Sequence, residues 1–271
     1  MVYMKKTALI LLIVLILGFL YFVFFSSKNP QNKNNEGNTI RIGYIVYPPL
    51  LEKDANNGSL SGVSYDIVEA AAKKLGLETN WTEEVGWGTA LEGLNTNRYD
   101  ILGTQMWPNE AREKVAVFSV APMDSVLYPY VKKGDTRFSS NLSALNSSEY
   151  KISAVDGELA VFIAQEDYPM AKLVALPQLS SYAEVFLNIV QGKADVSFNE
   201  PSAAADFLKS NPNTIERVGS QPVRAFGNSF AFKKNSVLLN DWNIAIQELI
   251  NSGEINRILN KYGVETHYRI N

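Results

Sequence analysis

Leu94–Ile101 (LNTNRYDI) and Ile189–Val196 (IVQGKADV) carry one pattern twice. At identical offsets, both stretches have an apolar residue, a turn residue, a basic residue, an aspartate and a β-branched residue. We interpret each stretch as the end of a helix, a cap residue and an aspartate that starts the next strand. Short coincidences of this kind are common in α/β proteins, but two copies suit a chain that folds as two lobes on one plan.

The sequence around these stretches alternates short β-rich runs with helical periodicity from Thr39 onward. Residues 39–46 alternate as a strand does, and apolar residues then recur at helical spacing up to Gly76. Further strands and helices are predicted at 101–104, 109–112, 151–155, from about Leu159, from Tyr182, at 238–249 and at 255–262. This order predicts an α/β fold with largely parallel strands.

The composition excludes several classes of function. With 271 residues, 46% of them hydrophobic and 20% charged, the chain is globular and long enough for two lobes. Its net charge of −3 lacks the basic excess of a nucleic-acid-binding protein. It has no cysteine, a single histidine (His267, near the C-terminus) and no Walker-type or dinucleotide-binding glycine pattern. We therefore expect no nucleic-acid partner, no Ser-His-Asp triad, no metal and no cofactor.

The first 38 residues predict where the protein works. Lys5 and Lys6 precede an uninterrupted apolar run, residues 7–25, which as a helix spans about 28 Å, close to one bilayer core. Aromatic residues stand where a signal peptidase needs small ones, so residues 1–25 are predicted to be a signal anchor, with a cleaved signal peptide as the alternative. Residues 26–38 lack large apolar side chains and are predicted to form a flexible stalk. With the lysines in the cytoplasm, the rest of the chain lies outside it, tethered to the membrane.

A series of short motifs follows in order along the remaining chain. They are Ile42-Gly43-Tyr44, Tyr47-Pro48-Pro49, Gly62–Ile67, Leu75-Gly76, Trp87 with Leu91, Leu94 and Asp100-Ile101, Gly103 with Arg112, Val117–Ser119, Ser153–Gly157, Gly192–Val196 with Glu200, and Gly253–Gly263. In this order they closely resemble the extracellular solute-binding protein family 3, the amino-acid-type receptors of ABC importers. The resemblance spans Thr39 to about Gly263, and it rests on the order of the motifs because no single one is specific.

The resemblance implies the type II periplasmic-binding-protein fold, in which two α/β lobes with mainly parallel sheets are joined by two hinge crossings. We expect lobe one at 39–128 and 230–271 and lobe two at 129–229, with crossing strands at Ser125–Lys132 and Asn228–Lys233. The implied function is an extracytoplasmic receptor that captures an amino acid, or a similar small polar or amine-bearing solute, for an ABC permease. A site between the lobes agrees with the tendency of α/β sheets to bind ligands at the carboxyl ends of their strands.

Two charged residues match ligand-binding positions of the family. Arg112 matches the arginine that grips the α-carboxylate of the ligand, a task suited to the paired donors of a planar guanidinium. The alternative is a surface arginine that pairs with Glu110 or Glu113. Glu200 matches the acid that receives the ammonium group of the ligand, and its alternative is a solvated acid at the start of the helix opened by Pro201.

Five further residues complete the predicted ligand site. Glu158 stands where the family usually has a threonine that donates to the carboxylate, and its charge leaves room for a cationic, amine-bearing or otherwise modified ligand. Tyr47 and Trp107 follow strands of lobe one, and each either stacks on the ligand or packs in the core. Thr104 and Gln105 are candidate hydroxyl and amide donors.

Two other functions remain open at this point. An enzyme on the same fold, resembling cyclohexadienyl dehydratases, would use Glu200 or Glu158 as a general acid with a pKa raised by burial. A tethered sensory receptor domain would signal through a separate partner. Neither function is demanded by the sequence, so we expect a receptor without catalysis.

Overall fold

The computed structural model of the protein describes residues 38–270. The predicted anchor at residues 1–25 and all of the predicted stalk except Asn38 lie outside these residues. Across residues 38–270, none of the helices has the length and apolar character needed to cross a membrane.

The described part of the chain alternates strands and helices, as the periodicity predicts. The strands are β1 Thr39–Tyr44, β2 Glu52–Lys53, β3 Leu60–Ser61, β4 Glu78–Glu84, β5 Ile101–Met106, β6 Ala116–Phe118, β7 Met123–Lys132, β8 Lys151–Val155, β9 Lys172–Leu176, β10 Val196–Asn199, β11 Ile215–Arg217, β12 Arg224–Lys233 and β13 Arg269–Ile270. The helices are α1 Val63–Lys74, α2 Ala90–Asn95, α3 Glu110–Glu113, α4 Leu159–Asp167, α5 Tyr182–Val190, α6 Pro201–Ser210, α7 Leu239–Asn251 and α8 Glu254–Lys261. The predicted helix starts at Leu159 and Tyr182 are confirmed.

The main sheet consists of two halves joined by a ribbon, in the hydrogen-bonded order β4-β1-β5-β12-β7-β10-β8-β9. β1 is parallel to β5 on one side, and β8 is parallel to β9 and β10 on the other. Between them, Met123–Leu127 of β7 and Arg224–Asn228 of β12 pair antiparallel. The rest of β12 then pairs with β5, and the rest of β7 pairs with β10. The protein therefore has two α/β lobes, lobe one around β1 and β5 and lobe two around β8 and β10, and β7 and β12 cross between them.

The two copies of the sequence pattern occupy matching places in the two lobes. In lobe one, the Asp100 N–H donates to the Arg41 carbonyl oxygen at 2.9 Å, and the Arg41 N–H donates to the Asp100 carboxylate at 3.0 Å. In lobe two, Asp195 and Lys151 exchange the same two hydrogen bonds, both at 2.9 Å. Each aspartate thus fixes the start of a strand to its parallel neighbour, β5 to β1 and β10 to β8. The repeat reflects a shared plan of the two lobes.

A buried apolar cluster extends across both lobes. It contains Trp242 of lobe one, Phe207 of lobe two and Tyr47. The ring of Tyr182 packs against the cluster, with its centroid 4.3 Å from that of Tyr47. Burial of apolar surface stabilises a packed arrangement by about 25 cal/mol per Å². The lobes are therefore in contact.

The lobes also approach each other closely at glycines. A Cβ atom on Gly157 of lobe two, where φ is +83°, would lie 2.4 Å from the backbone nitrogen of Gly88 in lobe one. A Cβ atom on Gly86 of lobe one would lie 2.5 Å from the Cβ of Gln178 in lobe two. Because such distances lie well inside van der Waals contact, full closure requires glycine at these positions.

Gly86→Ala is expected to hinder closure, because the added methyl group meets Gln178 of the opposite lobe. Overpacking costs about 1–3 kcal/mol, which corresponds to roughly a 5- to 150-fold loss of ligand affinity if binding requires closure. Isothermal titration measures the affinity, and thermal unfolding of the ligand-free protein should show little change in stability. Gln178→Gly in the same chain removes the opposing Cβ and should restore most of the affinity. A double variant as weak as the single one would contradict a clash between the lobes.

Candidate ligand-binding site

A small cavity lies between the two lobes. Its lobe-one wall follows the carboxyl ends of β1 and β5, and its lobe-two wall follows the carboxyl ends of β8 and β10. The crossing strands contribute Leu127, Phe226 and Asn228. Parallel strands of α/β sheets present ligands at these ends, so the fold favours a binding site here.

The cavity brings together six of the seven residues predicted to bind ligand. They are Tyr47, Gln105, Trp107, Arg112, Glu158 and Glu200. Thr104 is not among the lining residues. Its hydroxyl donates to the carbonyl oxygen of Ile45 at 2.7 Å and accepts from the Ile45 N–H at 2.9 Å, so it joins β5 to the residue that follows β1.

Arg112 reaches the cavity from α3, a one-turn helix whose first N–H groups are capped by Asn109. The Asn109 side chain accepts from the Arg112 N–H at 2.8 Å. The guanidinium of Arg112 donates to the carbonyl oxygens of Trp107 at 2.6 Å and of Gly157, in lobe two, at 3.2 Å. These two bonds leave further N–H donors of the guanidinium for an anion.

The burial of Arg112 overturns the alternative interpretation as a surface ion pair. Only 7% of the residue is exposed, and Glu110 pairs instead with Lys114. Burial lowers the pKa of Arg112 to about 10, and nearby Tyr182 and Glu158 oppose that change. The side chain is therefore a buried cation without a partner carboxylate within ion-pair distance in the described part of the chain.

Glu158 is the N-cap residue of α4, and its side chain is directed into the protein rather than to solvent. It is 4% exposed, and its carboxylate accepts from the Val155 N–H at 3.2 Å and from the hydroxyl of Tyr182. Burial raises the pKa of Glu158 to about 7, although these two donors and the charge of Arg112 act in the opposite direction. A substantial fraction of Glu158 therefore carries a proton near neutral pH.

Glu200 precedes α6 and is 5% exposed. Its alternative interpretation, a solvated acid at a helix start, is wrong, because the side chain does not cap the helix and is buried. Instead one carboxylate oxygen accepts from Ser125 Oγ at 2.9 Å, and the other accepts from the Tyr268 hydroxyl at 2.9 Å. Burial raises the pKa of Glu200, and these hydroxyl donors oppose the rise.

Aromatic rings form much of the remaining wall. Tyr47 packs against Tyr182 and, edge to face at 5.9 Å, against Trp87, while Trp107 lies 5.4 Å from Phe226. The sequence left open whether Tyr47 and Trp107 pack in the core or face the ligand. Both rings pack on other rings and also line the cavity. Such faces suit the apolar or cationic part of a ligand.

The family of the protein follows from its sequence as a whole. Residues 40–265 match the sequence profile of the bacterial extracellular solute-binding proteins, family 3. The chain belongs to this family. It is 22% identical to the L-cystine-binding protein TcyA of Bacillus subtilis, over 80% of this chain and 77% of that protein. It is also 22% identical to the ABC transporter arginine-binding protein 1 of Escherichia coli, over 80% of this chain and 86% of that protein.

The fold of a solved structure agrees with this membership. The ancestral amino acid-binding protein AncCDT-1, a precursor of cyclohexadienyl dehydratase, is 26% identical. Its structure covers 84% of this chain and 96% of its own, with a TM-score of 0.73. The predicted two-lobed α/β fold is thereby confirmed, with lobes as in type II periplasmic binding proteins.

The sequence missed three polar residues of this solute-binding protein's cavity. The sequence predicts Tyr182 only as part of an amphipathic helix, Asn199 follows an apolar strand segment, and Asn228 begins the crossing strand predicted at 228–233. The Asn199 side-chain oxygen and the Asn228 side-chain nitrogen are buried and have no hydrogen-bond partner among residues 38–270. Buried polar atoms are rarely left unpaired, so these two favour a polar occupant of the cavity. The position of Asn199 next to Glu200 was the signal that sequence reasoning passed over.

The cavity carries more negative than positive groups. Arg112 is the cation of its lining, and Glu158 and Glu200 are the two acids. With both acids ionised the net charge is −1, and the surroundings are too buried for water to screen it. A ligand with an excess of positive charge would balance this cavity.

The raised pKa of Glu158 predicts that the affinity for a cation depends on pH. Below about pH 7 the closed cavity holds a proton on Glu158, and a cation must displace that proton to gain the carboxylate. The affinity of the closed protein for a cation should therefore fall as the pH drops from about 7 to 5, by up to roughly tenfold per unit. Isothermal titration across this range measures it.

Two variants assign this dependence to its residue. Glu158→Gln should flatten the part of the profile near pH 7, whereas Glu149→Gln, a change at an exposed acid outside the cavity, should leave it unaltered. A wild-type profile without any slope in this range would contradict the role of Glu158.

Proposed function

We propose that this protein captures a cationic amino acid by closing its two lobes and delivers it to an ABC permease. The observation that carries the proposal is the cavity itself, in which a buried arginine lies opposite two buried glutamates. The names of the relatives give independent support, since they include an amino-acid ABC transporter-binding protein of Haemophilus influenzae and arginine-binding proteins.

The ligand orientation follows from the charges. The α-carboxylate takes the unused N–H donors of Arg112, for which the planar guanidinium is well suited. The α-ammonium takes Glu200, and the second cationic group of the ligand lies between the aromatic faces and Glu158. Each charge of the ligand then meets an opposite charge in a site from which water is excluded.

Closure and binding form one equilibrium in this proposal. Arg112 belongs to lobe one, and Glu158 and Glu200 belong to lobe two, so one ligand contacts both lobes only when they are together. Contacts that exist only in the closed form shift the population toward it.

Arginine and agmatine test the ligand orientation, because agmatine is arginine without the carboxylate. Wild-type protein should prefer arginine, and Arg112→Ala should lose roughly 2–4 kcal/mol of arginine binding, about 30- to 1000-fold, while agmatine binding changes little. Arg112→Lys should also bind arginine poorly, because a point charge does not reproduce the paired donors. Arg98→Ala is the matched control, since Arg98 forms an exposed ion pair with Glu83 and its loss should not alter affinity.

A second ligand class is favoured by Glu158 in particular. An amine without a carboxylate would need no partner for Arg112, which already donates to two carbonyl oxygens. If agmatine binds at least as tightly as arginine and Arg112→Ala changes neither affinity, the ligand is such an amine. That result would overturn the amino-acid assignment.

A dehydratase-like enzyme is the remaining candidate. The likeness to the precursor AncCDT-1 and the raised pKa of Glu158 favour it. The names of the relatives describe binding proteins, and we infer reversible capture without chemistry. Chromatography of the ligand recovered after prolonged incubation with the protein should show no product.

The location proposal rests on the apolar run at residues 7–25. We infer an extracytoplasmic protein that is held to the cytoplasmic membrane by its N-terminal segment. The full-length protein should fractionate with membranes and retain residues upstream of Ser26. A mature N-terminus at or after Ser27 would identify a cleaved signal peptide instead.

A further inference from the structure

The carboxylate of Glu200 is held by hydroxyl groups from three separate segments. Ser125 lies on the crossing strand β7, Ser202 lies in the first turn of α6, and Tyr268 lies in the C-terminal segment after α8. The Tyr268 hydroxyl is 2.9 Å from the carboxylate of Glu200 and 2.8 Å from Ser202 Oγ. The three contacts join parts of the chain that are far apart in sequence.

The direction of these hydrogen bonds follows from the chemistry of a carboxylate. An ionised carboxylate only accepts, so Tyr268 donates its one proton to Glu200. Ser202 then donates to the Tyr268 oxygen, since its own distance to Glu200 is longer, 3.4 Å. The Tyr268 hydroxyl is thereby fixed in the orientation that points its proton at Glu200.

The C-terminal segment is itself fixed to the crossing strand. β13 pairs antiparallel with β7, with Arg269 opposite Asp124 and Ile270 opposite Met123, and the Arg269 guanidinium donates to the Asp124 carboxylate. Tyr268 immediately precedes this pairing and is 7% exposed. Its ring is therefore packed in place beside the strand that also carries Ser125.

We propose that Tyr268 is a positioning residue for ligand binding, through which the C-terminal segment holds the Glu200 carboxylate in the orientation that meets the cationic group of the ligand. This inference rests on the proposed function, since it assumes that Glu200 receives a cation. Tyr268 does not line the cavity and acts through Glu200.

The electrostatics around Glu200 are consistent with this role. Burial raises the pKa of Glu200, and the hydroxyls of Ser125 and Tyr268 oppose the rise by donating to the ionised form. The other titratable groups that act on it or on its partners are Glu158, Tyr182, Tyr130 and Arg112. Loss of the Tyr268 hydroxyl removes one donor, so the pKa of Glu200 rises further and the carboxylate takes a proton at higher pH.

Tyr268→Phe tests the inference, with Tyr262→Phe as the matched control. The Tyr262 hydroxyl also lies in the C-terminal region and makes two hydrogen bonds, to the Gly62 N–H at 2.9 Å and to Asp66 at 3.1 Å, but away from the cavity. L-arginine is titrated into each protein from pH 5 to 8.5, in the wild-type and the Glu158→Gln background. The acid limb is the fall in affinity toward low pH. In the Glu158→Gln background Glu158 no longer titrates, so the acid limb there reports Glu200. Thermal unfolding without ligand measures stability.

Tyr268→Phe should bind arginine roughly tenfold more weakly at pH 8, and its acid limb should lie at higher pH. Tyr262→Phe should lose a similar amount of stability with an unchanged affinity and acid limb. Ser202→Ala, which removes the donor to Tyr268 and keeps its ring, should shift the acid limb in the same direction by less, and it replaces Tyr268→Phe if that variant does not fold.

Two outcomes separate this inference from the proposed function. If the wild type binds arginine and Tyr268→Phe binds it with the same affinity and the same acid limb, the positioning role alone is overturned. A wild type that does not bind arginine at any pH overturns the proposed function and this inference with it.

Discussion

The antiparallel ribbon of β7 and β12 is the constraint on which the rest of the structure depends. Met123–Leu127 and Arg224–Asn228 are paired along their length before each strand enters a different lobe. Any movement of one lobe relative to the other has to bend or twist this ribbon. Asn228 of the ribbon lines the cavity, and Ser125 of the ribbon donates to Glu200. The hinge is thus in direct hydrogen-bond contact with a charged group of the site.

Burial of ionisable side chains links the ribbon to ligand binding. Removing a charged group from water costs several kcal/mol unless other groups replace the lost solvation. Here the lost solvation is replaced mainly by hydrogen bonds from neutral donors. The Val155 N–H and the Tyr182 hydroxyl donate to Glu158, and the Ser125 hydroxyl donates to Glu200. In an open form water would solvate these groups, and closure removes that water. A ligand that supplies opposite charges replaces the lost solvation. That difference is the free energy that a ligand uses to shift the population toward the closed form.

The sequence predicted the parts of the site that local pattern determines. The strand-starting role of Asp100 and Asp195 followed from a pattern of eight residues, and the positions of Arg112 and Glu200 followed from the order of motifs. Tyr268 was beyond this reasoning, because its contact with Glu200 joins residues 68 positions apart and depends on how the C-terminal segment meets β7. For Thr104 the sequence predicted a contact that the structure does not show. Its hydroxyl was expected to donate to the ligand, but it donates to the backbone of Ile45 instead. Local pattern does not determine which way a side chain of a strand end faces.

Membership of the family does not determine the ligand, so the charge of the cavity is the better guide to it. TcyA and the Escherichia coli arginine-binding protein 1 are both 22% identical to this chain, and their names state different amino acids. A neutral zwitterion would leave one of the two acids of this cavity uncompensated, and Glu158, with a pKa of about 7, would then take up a proton. A cation would instead keep that acid ionised. The proposed preference for a cationic over a neutral amino acid is therefore itself expected to depend on pH. It should be weakest in acid, where the proton on Glu158 replaces the second positive charge of the ligand.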